Sequence, residues 1–178
     1  MNQLVEQKMG LWGSLVVANA AVPLSELGVF EGEPRMERFQ ERASGWQVWL
    51  LEREASLDES QLGQLLAATG RPAMFGYVMD SDCVVVEAID TKTMTWCGCL
   101  DRAAMTAYMA ENGESVDAWF LSSSEAAERA VGWASDAGYS VPHAPLIEVF
   151  EARSDPLAEE LFLRLLDRMG LPRELAEV

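Results

Sequence analysis

Between residues 72 and 100, three apolar runs of strand length follow one another with short polar breaks. They are Ala73–Met79, Cys83–Ile89 and Met94–Leu100, split by Asp80-Ser81-Asp82 and Asp90-Thr91-Lys92-Thr93. Each run is rich in β-branched or aromatic residues and each break is made of turn formers, so the stretch predicts an antiparallel meander. Strands of this kind are stable only when a face is covered, and amphipathic helical patterns on both sides of the meander supply the cover.

Taken in order, Met1–Lys8 reads as a short leader and Leu11–Ala20 as an apolar strand. Ala18-Asn19-Ala20 has the form of a signal-peptide cleavage site. Glu6 offsets Lys8, however, and the apolar run is short and carries Trp12, Gly13 and Ser14, which favours the strand. Pro34 is placed to open a short helix to about Ala43, with Met36, Phe39 and Ala43 inward. Trp46–Leu51 is nearly continuous in apolar residues, as a strand covered on both faces should be. Ser56-Leu57-Asp58-Glu59 is a capping box for a helix with Leu62, Leu65 and Leu66 on one side and Gly70 at its end.

After the meander, Asp101 caps a helix over Arg102–Glu111, and Trp119-Phe120-Leu121 is expected to be a further short strand. Ser122-Ser123-Ser124-Glu125 caps a helix to Asp136 with a stripe of small residues. A last helix starts near Asp155-Pro156 and presents Leu157, Leu161, Leu165, Leu166 and Met169. The expected fold is a single α+β domain over residues 1–178: a mostly antiparallel sheet of about five strands with a central meander, 73–100, covered by helices.

The chain carries 29 acidic against 13 basic residues, a formal charge of −16. Sixteen acidic against five basic residues fall in 51–150, which places −11 of that total there. Such a field repels nucleic acid and anionic membrane and steers basic partners inward. Three cysteines do not make a disulfide framework and fit a reducing compartment, so a cytoplasmic location is expected. No apolar stretch reaches the length of a membrane span.

No GxGxxG, P-loop, HExxH or GxSxG pattern occurs. His143 is the sole histidine and sits in a proline-flanked loop sequence, a setting that suits a surface residue better than a catalytic one. Cys97 and Cys99 alternate onto one face of their strand. If Asp90 pairs with Thr93 at the turn, Cys97 lies opposite Val86 and Cys99 opposite Val84, which sends Cys83 to the other face and excludes a three-thiolate metal site. A slip of one residue reverses that conclusion. No catalytic residue, metal site or cofactor is expected. Asp80 and Asp82 flank a hairpin tip, and Glu87 lies further along the next strand. Trp96 alternates away from the cysteine face, and exposed tryptophan beside carboxylates suits an interface. Asp80, Asp82, Glu87 and Trp96 are therefore the candidate partner-binding residues.

The runs MGLWGSLVVA, PLSEL, GWQVWLLE and TGRPAMFGYVMDSDCVVVEA resemble a loose group of small uncharacterised actinobacterial proteins, up to about residue 100. The form of the chain, compact, acidic and without catalytic motifs, is similar to that of the immunity proteins of polymorphic toxin systems. That resemblance implies a non-enzymatic protein that occludes a basic toxin domain. The alternative expectation is a small-ligand-binding or regulatory module with its pocket between sheet and helices.

Overall fold

The computed structural model describes residues 10–53 and 55–173; the leader expected at Met1–Lys8 lies outside them. Six strands form one antiparallel sheet: β1 (Gly13–Asn19), β2 (Met36–Glu41), β3 (Trp46–Leu51), β4 (Ala73–Met79), β5 (Cys83–Ile89) and β6 (Thr95–Leu100). Their spatial order is β2-β3-β1-β4-β5-β6. The fold is therefore α+β, with the expected meander in β4–β6. It runs from the middle of the sheet, where β1 and β4 pair, out to an edge formed by β6.

Helices cover both faces. α1 (Glu59–Thr69) buries Leu62, Leu65 and Leu66 against Val16, Phe75 and Ile89 on the first face. α2 (Arg102–Ala110) covers the far corner of that face, placing Met105 and Met109 over Cys83 and Cys99. On the second face lie α4 (Ser123–Asp136), α5 (His143–Glu151) and α6 (Ala158–Arg168), over Leu15, Val17, Met74, Val84 and Val86. α3 (Val116–Trp119) is a single turn beyond β6. The stripe of Ala126, Ala127, Ala130 and Ala134 brings α4 close to the sheet. There the buried Trp133 indole N–H donates to the carbonyls of Ala73 and Ile89, each at 3.1 Å. Among the described residues, no helix is long and apolar enough to cross a membrane.

Five local expectations are corrected. Residues 36–41 form edge strand β2, not a helix: pairing with β3 overrides the helical spacing of Met36 and Phe39. A register shift between Arg38 and Gln40 breaks the two-residue alternation that would have marked a strand. Trp119–Leu121 is not a strand but the end of α3 and its exit. His143 opens α5 and is not in a loop; Pro142 takes the N-cap, and Pro145 sits in the first turn, where no intrahelical N–H is lost. The cap of α1 is Asp58 with Gln61, two residues later than Ser56. α6 begins at Ala158, which leaves Leu157 exposed at its N-cap.

Candidate partner-binding surface

The β4–β5 hairpin tip is anchored in the fold through its buried Ser81, while Asp82 is exposed. Asp80 and Ser81 both take positive φ, 52° and 56°, the left-handed pair that a type I′ turn needs. Ser81 is buried. Its hydroxyl accepts from the Leu11 N–H at 2.8 Å and donates to the buried Glu159 carboxylate at 3.1 Å. Its backbone pairs with Leu11 and Ala158. Asp80 accepts from the Gly10 N–H at 3.1 Å, and Asp82 accepts from the Tyr108 hydroxyl at 3.2 Å. Both carboxylates hold chain segments together.

Glu87 on β5 and Trp96 on β6 lie near the other end of β5, five residues from Asp82, or roughly 16 Å at the rise of a strand, and face opposite sides of the sheet. Glu87 faces α1 on the first sheet face, half-buried between Phe75 on β4 and Cys97 on β6, its direct cross-strand neighbours. Burial pushes its carboxyl above the usual range, and the nearby charges of Glu59 and Asp58 push in the same direction. It has no hydrogen-bond or ion-pair partner among the described residues. Trp96 turns to the second face, where its ring meets Phe150 edge-on at 6.4 Å.

Three open recesses meet around this point at the outer edge of β6. One of about 460 Å³ lies between the start of α1 and the β5–β6 rung, lined by Leu57, Asp58, Glu59, Leu62, Glu87, Thr95, Trp96 and Cys97. A second, of about 650 Å³, runs from Trp96 along α4 past Glu125, Glu128, Arg129 and Asp136 to the Asp90–Met94 turn. The third, about 350 Å³, lies between β6 and the exit of α3. Eight carboxylates and two cations, Lys92 and Arg129, line the three together. Beside them Trp119 is 61% exposed and Met94 52%.

Most of the carboxylates around the edge have structural duties. Asp58 caps α1, and the hydrogen bonds it takes from Ser60 and the Gln61 N–H hold its carboxyl below the ordinary value. Asp136 takes two bonds from Thr91, Asp90 closes the β5–β6 turn, and Glu59 accepts from the Thr95 hydroxyl at 3.1 Å. Asp117 is held by Arg102, which also reaches the Leu121 carbonyl. The Leu121 N–H in turn donates to the Cys97 carbonyl at 3.1 Å, pinning the α3 exit against the edge of β6.

The cysteine expectation is overturned by one residue of register. Asp90 pairs with Met94, not Thr93, and Thr93 takes φ 62°. Cys97 therefore opposes Glu87 and Cys99 opposes Val85, so Cys83, Cys97 and Cys99 share the first face. Cys83 and Cys99 pack under α2. Burial pushes the Cys83 thiol up to about 12, with Asp82 adding to it; burial and Glu87 push Cys97 up to about 12, and burial pushes Cys99 to about 11. Among the described residues no group of three His, Cys, Asp or Glu side chains could hold a metal ion. The lone His143 ring contacts the Ser124 carbonyl at 3.1 Å on the surface.

Sequence reasoning missed Trp119 and Met94, which it assigned to strands, and treated Asp58 and Glu59 solely as helix caps. The signal for Trp119 lay in Ser115-Val116-Asp117, a helix start too short to stand out from propensity. Comparison with protein-family models, curated proteins and solved structures found no match for this chain.

Proposed function

We propose that this is a non-enzymatic binding protein that captures a basic protein partner, acting as an immunity or antitoxin protein that occludes a toxin domain in the cytoplasm. The observation that supports it is the outer edge of β6, where eight carboxylates against two cations surround Trp96, Trp119 and Met94. Aromatic anchors ringed by charge of one sign are the arrangement by which interfaces combine a desolvated centre with electrostatic steering. The partner chemistry that complements it is Lys/Arg-rich, and nucleic acid and anionic membrane would be repelled.

The test is co-expression with the product of the neighbouring gene. On this reading that gene encodes a basic toxin domain, its toxicity disappears when the two proteins are made together, and the purified complex forms more slowly as salt is raised. A neighbour that is neither basic nor toxic, or a toxin left active in the mixture, rejects the reading. A small-ligand module is the second reading, favoured by the roughly 460 Å³ recess beside α1, a volume within the range of ligand pockets. It predicts a tightly bound metabolite in protein purified from its source.

A further inference from the structure

We propose that the recess between α1 and the β5–β6 rung receives one arginine or lysine side chain of the basic partner, with Glu87 as its counter-ion. This rests on the reading above and names the place where that partner is anchored.

The walls of the recess are apolar where a long side chain would pass. Leu57 and Leu62 are buried on one side, and Thr95–Cys97 of β6 line the other. Arginine and lysine carry an aliphatic stem that packs on such walls while the charged head goes further. Glu87 lies in the floor of the recess between Phe75 and Cys97, neither of which can neutralise it. Its charged neighbours Glu59 and Asp58 are of the same sign, and among the described residues no cation lines this recess.

The remaining polar groups are committed elsewhere: Asp58 to its cap, and Thr95 to Glu59. A carboxylate without a partner, half-removed from water, costs stability. A cation brought in from outside removes that cost, so the chain itself supplies part of the affinity. Burial alone would be met as well by glutamine or leucine; the charge at this position is what an incoming cation uses.

The test uses the full chain, ¹⁵N-labelled, and an acetylated and amidated pentapeptide with one central arginine. A peptide with citrulline at that place has nearly the same shape without the charge. Saturable shifts of the Glu87, Thr95 and Cys97 amides are expected with the arginine peptide. Binding should be roughly tenfold weaker with citrulline, and roughly tenfold weaker to Glu87→Gln, the usual loss for one charge-assisted hydrogen bond. Thermal unfolding of Glu87→Gln confirms that the variant is folded.

Equal binding of the two peptides, equal binding by the variant, or shifts spread over the acidic surface without saturation at Glu87 and Cys97 each overturn the proposal. The same variant separates this inference from the reading beneath it. If Glu87→Gln captures the basic partner as the native protein does while Trp119→Ala does not, the recess is not the anchor but the function stands. If the arginine peptide enters the recess and no basic partner is captured, the function fails and the cation site remains.

Discussion

Glu87 on β5 and Cys97 on β6 face each other directly across the strands, a carboxylate against a thiol, both half-buried and neither given a hydrogen-bond partner among the described residues. Burial, with the Glu87 charge adding to it, pushes the Cys97 thiol up to about 12, and burial, with Glu59 and Asp58 adding to it, raises Glu87 itself. A stable fold has no use for this pair. It lies between the areas covered by α1 and α2, where the sheet is open to whatever fits the recess.

The stability of the free protein should record this. Glu87 has a folded ionisation above its unfolded value, so its contribution is fully present below the unfolded value and is lost as pH rises through the folded one. Glu87→Gln is therefore expected to be more stable than the native chain at neutral pH, with the difference shrinking as pH falls toward 4. Urea midpoints across pH 4–8 measure it, and a variant less stable at pH 7 would show that the carboxylate has a favourable role in the free protein.

The clasp at the other end of the sheet should respond in the opposite direction. Buried Arg42 meets Asp167 at 2.9 Å and also donates to the Leu171 carbonyl, so it ties β2 to the end of α6. Burial raises the Asp167 carboxyl, but the hydrogen bonds from Arg173 and Arg42 outweigh it and the net shift is downward. Its stabilisation is present above the unfolded carboxylate value and is lost as pH falls through the folded one. Asp167→Asn should cost about 1–3 kcal/mol at pH 7, as removal of one partner leaves a buried charge poorly matched. That loss should fade in acid. A loss independent of pH would mean that the side chain acts through packing.

Packing of α6 on the sheet has its own test at Gly76. A Cβ built there would lie 2.6 Å from the Phe162 ring, and the ring is fully buried. Gly76→Ala should cost about 1–3 kcal/mol through overpacking. Adding Phe162→Leu, which removes the obstructing ring, should recover part of that loss in a double-mutant cycle. Purely additive losses in denaturant melts would place the clash elsewhere.

The meander, β1, β3, α1 and the caps at Asp101 and Ser122 were legible because local chemistry and tertiary structure agree there. Two elements were hidden because tertiary contacts decide them. β2 is made a strand by β3 and loses its alternation at the shift near Phe39. α5 carries two prolines that resemble a loop until the helix start is placed between them. The register of β6 turned on Thr93, a β-branched residue at φ 62° that no propensity would place there. Of the four candidate site residues, Glu87 and Trp96 both border one recess from opposite faces of the sheet, whereas Asp80 and Asp82 each accept a hydrogen bond at the hairpin junction. A run of Asp-Ser-Asp reads as exposed until Leu11 and Glu159 are seen to close around its serine.

That difference sets the last prediction, which concerns how a basic partner is caught. Glu128 on α4 is exposed, lines the recess of about 650 Å³ and has no structural bond among the described residues. Glu128→Lys should leave stability within about 0.5 kcal/mol, as exposed helix positions usually do. It should slow association severalfold at low salt with little change in dissociation, because rim charges act on encounter. Trp119 is an exposed ring at the centre of the edge, so Trp119→Ala should act on dissociation and hardly on its salt dependence. Reversing Asp80 and Asp82 to lysine should do neither in a clean way: it removes the acceptors for Gly10 and Tyr108 and lowers the unfolding midpoint. Stopped-flow binding at two salt concentrations with these three variants decides between the two ends of β5. If the hairpin reversal alone slowed association and left the fold intact, the partner would dock at the Asp80–Asp82 tip and not along β6.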